Sequence, residues 1–246
     1  MRLRTAFGAV AVAAALTMTT GVASAGSQYA LLTGETDVGT APLRWNPCQP
    51  EITYKVNTAL AREKGHTKAE ARVRARSEII KAMSRLEAAT GMDFAYTGKT
   101  TEIPTGGDWW EEQSAQSEIV IAYTDQDNPE NRSSLMTGGA WGEGGQVYMY
   151  EGARLVVGRG FAVFNRDKAV KMRTGFGSGV HRGNLVLHEL GHVAGLDHVS
   201  SSSQLMNPSI SDRSPNGYAA GDLAGLKRVG AGAGCIKGAA EFWPGS

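Results

Sequence analysis

The chain has 246 residues, 41% of them hydrophobic and 20% charged, with a formal net charge of +1. That length and apolar content suit one compact domain with a core, whole or split by a cleft, and there is no internal repeat or long linker. The near-neutral charge argues against nucleic acid as a partner.

Arg2 and Arg4 precede an apolar, alanine-rich stretch over residues 6 to about 18, which ends at Ala23-Ser24-Ala25, a run of small residues suited to cleavage. Residues 1–25 therefore read as a secretory signal peptide. A membrane anchor is disfavoured, because the apolar stretch is short and interrupted by Gly8 and Thr17. No cysteine stands at the cleavage point for lipid attachment, and no later apolar run could span a bilayer. The expectation is a secreted, extracellular protein with no membrane attachment after cleavage. Loss of two arginines and no acid would take the formal charge from +1 to −1.

Residues 26–45 form a short N-terminal or pro segment, and residues 26–43 could be trimmed or kept. The main domain is expected over residues 46–246, with an upper part to about residue 195 and a lower part over 196–246. Cys48 and Cys235 are the two cysteines. An even pair in an exported protein most simply forms a disulfide.

Residues 51–56 alternate with period two and read as a strand after the turn-forming Pro47 and Pro50. Thr67 and Glu70 form a capping-box pair that opens a helix. Ile79, Ile80, Met83 and Leu86 repeat at helical spacing along it, and Gly91 ends it. Residues 92–96, 118–123, 146–150 and 160–164 read as further short strands. The acidic loop Asp125-Gln-Asp127-Asn128-Pro-Glu130 either holds calcium through its oxygens or is a solvated turn, and its spacing matches no complete calcium loop. The glycine-rich residues 138–145 read as the rim of a cleft or as a surface loop. Trp109, Trp110 and Trp141 read as core residues, and His66 and His181 as surface or supporting groups. Asn184 is the expected N-cap of the next helix.

That helix carries the densest chemistry in the chain: His188-Glu189-Leu-Gly-His192-Val-Ala-Gly195-Leu-Asp-His198. Histidines four residues apart lie one above the other on a helix face, so His188 and His192 can aim at one metal ion. Gly195 tolerates positive φ, which lets the chain double back and bring in His198 as a third ligand. Zinc with three protein nitrogens keeps a position open for water, unlike closed structural sites. Glu189, one residue along, is placed to act as general base and acid on that water rather than as a ligand. Two other classes stay open: a non-catalytic, zinc-stabilised extracellular binding protein, and a zinc hydrolase of a non-peptide amide.

At these residues the chain resembles the metzincin zinc endopeptidases. Met206 follows His198 in Ser203-Gln-Leu-Met206-Asn-Pro208 and is similar to the methionine turn of that family, where it forms an apolar floor under the histidines. HELGHVAGLDH with LMNP resembles the matrixin branch most, as does Gly221-Asp222-Leu-Ala-Gly225-Leu226 in its C-terminal helix. The resemblance implies an α+β zincin fold: a twisted mixed sheet, an active-site helix and a small C-terminal subdomain. It further implies one catalytic zinc, a protein or peptide substrate added to an exposed sheet edge, and a monomer. Some metzincins take a further zinc ligand from a tyrosine two residues after the methionine; here that position is Pro208. Residues 138–167 lack histidine, so the second zinc of matrixins is not expected. Asp222 either braces the methionine turn or simply faces a helix dipole. Asn46-Pro-Cys48-Gln-Pro50 bears a faint likeness to the matrixin cysteine that reaches the zinc from a pro-segment, an alternative to the disulfide. Residues 207–218 are expected to shape specificity.

Overall fold

The computed structural model describes residues 28–106, 117–137 and 139–239. The expected signal peptide, Trp109, Trp110 and Gly138 lie outside the described residues. The chain opens with three short strands, β1 (Ala30–Leu31), β2 (Thr33–Thr36) and β3 (Gly39–Pro42), none of which the sequence pattern announces. β2 and β3 form a hairpin. Leu43 and Trp45 then enter the core, and the indole Nε1 of Trp45 donates to the Val193 carbonyl at 2.8 Å.

β4 (Ile52–Asn57) leads to the long helix α1 (Lys68–Thr90), capped by the reciprocal Thr67–Glu70 pair and stopped by Gly91 at φ 69°. Its buried stripe includes Ala71, Ala75, Ile79, Ala82, Met83 and Leu86. Then come β5 (Phe94–Lys99), β6 (Ile119–Thr124), β7 (Gly142–Glu151), β8 (Arg154–Asn165) and the single turn α2 (Arg166–Ala169). The expected strands all exist, but β7 and β8 start earlier and form one long hairpin turning at Gly152, where φ is 60°.

The five-stranded sheet runs β5-β4-β6-β8-β7, parallel except for β7, which lies antiparallel on β8 at one edge. β6 is buried along its whole length, as a central parallel strand must be when both faces are covered. The main core lies between this sheet and the helices α1 and α3 (Arg182–Ala194). Ala122, Leu135, Phe161 and Val163 form a second cluster. This is the mixed α+β layering expected of the zincin fold. β9 (Leu196–Asp197) and α4 (Ala220–Val229) follow the active helix.

Cys48 and Cys235 are joined, 187 residues apart. In this structure Cys48 is therefore not a free thiol near the histidines. Closing so long a loop stabilises by about 5 kcal/mol in the chain-entropy picture.

Candidate metal centre

Every residue of α3 is buried. A helix buried all round needs partners for its polar side chains, and most of them have one, the Asn184 Oδ1 being an exception. Arg182 at its start donates to Glu78 at 2.8 Å and pairs with Glu63 at 3.4 Å, fixing the helix to α1. The cap is His181, in an extended conformation and without a side-chain cap bond, rather than Asn184. Asn184 sits inside the first turn because its amide is used elsewhere. Its Nδ2 donates to the carbonyls of Gly177, Gly179 and Pro215, which ties the loops on either side of the helix to it.

His188 and His192 project from one face, as their spacing predicts. Gly195 ends the helix at φ 112°, and a Cβ there would also overlap the Leu43 carbonyl, so glycine is required twice. The chain then reverses through β9 and delivers His198. The Nε2 atoms of His188 and His192 each stand 3.1 Å from Nε2 of His198. Two nitrogens bound to one tetrahedral zinc lie about 3.3 Å apart, so the cluster is near the size such an ion requires. Nδ1 of His188 faces the Leu205 carbonyl and Nδ1 of His192 the Leu196 carbonyl, both at 2.8 Å. These contacts hold the proton on Nδ1 and leave Nε2 as a lone pair aimed inward, the arrangement that orients metal-binding imidazoles. Burial pushes His188 down to about 4, with His198 adding to it and the Leu205 carbonyl opposing it. His192 is driven well below its ordinary value, again chiefly by burial. Neutral rings are what a cation needs.

Glu189 turns toward the sheet edge. Its carboxyl is pushed well above the ordinary range by burial and by the charge of Glu143, while the Gly144 amide hydrogen bond works in the other direction. Glu143 is itself raised to about 7 by burial. Within the glycine-rich stretch, Gly142 to Gly145 are part of the edge strand β7 rather than a surface loop. A Cβ on Gly142 would stand 2.7 Å from Glu189 Oε1, and one on Gly144 would overlap the Glu189 backbone carbonyl. Those glycines let the edge strand lie directly on the helix. Gly144→Ala should therefore cost about 3 kcal/mol and displace Glu189, seen as a lower denaturation midpoint with reduced hydrolysis. Trp141, at the start of this strand, is 41% exposed and so is not a core residue.

Met206 is buried beneath α3, against Gly191, where any side chain would collide with its sulfur. Asp222 serves both expected purposes: it accepts from the amides of Leu205 and Met206 at 2.7 and 3.3 Å and from Ala219 at 2.8 Å at its own helix start. Burial raises its pKa, with those amides opposing the shift. Because the Leu205 carbonyl holds His188, Asp222→Ala should loosen the metal as well as the fold. We expect about 3 kcal/mol lower stability in urea and roughly tenfold weaker zinc binding by chelator competition.

The acidic loop is less suited to a cation. Asp125 and Asp127 approach Asp167 rather than Glu130, Arg166 pairs with Asp125, and Arg62 lies 3.3 Å from Asp167. Asp125 and Asn128 accept from Asp127 and Glu130 amides, as in ordinary aspartate and asparagine turns. His66 bridges Glu63 and Glu70 at the surface, away from the triad.

The sequence pattern marks the glycine-rich stretch but not the contact of Gly142 and Gly144 with Glu189, the place of Glu143 beside it or the anchoring of Asn184. Gly142-Glu143-Gly144-Gly145 was the available signal, since glycines inside a strand mark close backbone approach. No curated protein matches the chain. The family model described as matrixin matches residues 44–229, well over half of the sequence. With the mixed sheet, the histidine cluster and this match in hand, the chain belongs to the matrixin family of zinc metallopeptidases.

Proposed function

We propose that the protein is a secreted zinc endopeptidase, with His188, His192 and His198 as ligands and Glu189 as general base and acid. The observation that carries this reading is the convergence of three Nε2 atoms, two of them from rings whose Nδ1 is held by a backbone carbonyl. Zinc, when bound, supplies a Lewis acid that polarises a carbonyl and makes water acidic enough to ionise near neutral pH.

The remaining chemistry falls to the chain. Glu189 accepts a proton from the attacking water and returns it to the leaving amine. β7 is the edge of the sheet, so an extended peptide can pair along it and satisfy its backbone groups. Residues 207–218 shape the neighbouring pocket. Tyr218 steadies that loop by donating to the Leu187 carbonyl at 2.7 Å.

Export through residues 1–25 fits the disulfide, which persists in oxidising compartments. No helix among the described residues is long and apolar enough to cross a membrane. The protein acts as a monomer in this reading. Incubation with casein and with cell-wall amide substrates, read by fragment mass, tests it. Internal peptide cuts are expected; cleavage confined to non-peptide amides, or none by zinc-loaded protein, would refute it.

A further inference from the structure

His198 differs from its two fellow histidines. Among the described residues no carbonyl holds its Nδ1, and its side chain is exposed. What places it is backbone. β9, the two residues before it, pairs antiparallel with β1, in the register Ala30↔Asp197 and Leu31↔Leu196. The next pair continues the ladder, with the Leu32 amide donating to the Gly195 carbonyl at 2.9 Å. By the alternation of antiparallel pairs, Ala30 and Asp197 then form the following hydrogen-bonded pair.

Three glycines are shaped to this N-terminal stretch. A Cβ on Gly195 would overlap the Leu43 carbonyl, one on Gly221 would overlap the Gln28 carbonyl, and one on Gly225 would stand 3.0 Å from Tyr29 Cβ. Gly221 and Gly225 are one turn apart on α4, so residues 28 and 29 lie in a notch between that helix and β9. Further along, Leu43 and Trp45 are buried in the main core. A segment destined for removal would leave the notch open and an unpaired strand beside a metal ligand.

We infer that residues 28–45 are a lasting part of the working protein and that β1 positions His198 for the metal. The inference rests on the proposed zinc site but not on proteolysis. Ala30 and Leu31 are positioning residues that act through β9.

The test compares the chain beginning at Gln28 with one beginning at Thr33, and with Ala30→Pro in the longer chain, which deletes a ladder amide. Zinc affinity is read by competition with a chromophoric chelator, and amide exchange at Leu196, Asp197 and His198 is read on metal-free protein. Both variants should keep their circular dichroism, bind zinc at least about tenfold more weakly, and exchange faster at those three amides while β6 stays protected. Unchanged affinity in either folded variant overturns the inference, and if the shorter chain does not fold, Ala30→Pro decides. Global unfolding of both also overturns it, since the stretch would then support the whole domain rather than one ligand. An active secreted species whose mass places its first residue beyond Leu31 does the same. If the chain beginning at Gln28 binds no zinc, it is the proposed function that fails.

Discussion

Glu189→Gln is expected to lower peptide hydrolysis by about a thousandfold or more while leaving zinc in place. Glutamine keeps the volume and can still accept from the Gly144 amide, so the packing of β7 on α3 should survive. It cannot accept a proton from water. Turnover of a quenched peptide, with zinc measured in the same sample, separates the two effects; a variant that keeps both metal and full turnover would remove Glu189 from the reaction.

The same substitution has a second signature in metal-free protein. The Glu189 carboxyl is raised by burial, so its ionisation opposes folding. A raised carboxyl contributes stability that is fully present below its unfolded value of about 4.5 and is lost as pH climbs through the folded value. Glu189→Gln should therefore melt higher than the parent at pH 7 without zinc. The gap should close below about pH 4.5. Comparing the two chains cancels the opposite contributions of the neighbouring histidines, and a gap independent of pH would contradict the assignment.

Removing the metal is the other large perturbation. Chelation should abolish hydrolysis, and stoichiometric zinc should restore it. The His192→Ala variant should stay inactive when zinc is added, because it lacks one proposed ligand and the donor to the Leu196 carbonyl that steadies the turn into His198. Three rings brought together only by folding give zinc a site that the open chain lacks. At a free concentration about a thousandfold above its dissociation constant it should add about 4 kcal/mol of stability, on the order of 10 °C in melting temperature. Calorimetry with and without chelator measures this; a melting point indifferent to zinc would mean that the three rings do not share an ion.

The metal cluster was legible because its signal is local. Two histidines one helical turn apart and a glycine before the third bring the rings together, and the Leu196 and Leu205 carbonyls with the β1–β9 pairing complete their placement. Met206 and Asp222 were legible only through the family resemblance, since a buried methionine and an acid in a first helical turn have ordinary explanations. The N-terminal strands were not readable. Strands of two to four residues are too short to show a periodicity, and the pairing of Ala30 with Asp197 joins distant parts of the chain. The start of β7 escapes the sequence pattern for a related reason: glycine disfavours strands on its own account, and only contact with the Glu189 backbone makes it the fitting residue. Asn184 resembles a cap because asparagine is among the residues that N-cap positions favour. Three carbonyls from two loops claim its amide instead.

The cystine near the two ends of the domain encloses the sheet, the histidines and the long loops in one covalent ring. A single internal cut inside that ring, including one the protein makes in its own surface, opens the circle without releasing either piece. Nicked molecules would migrate as intact protein until a reductant separates the halves, so self-digestion would escape notice on any gel run without one.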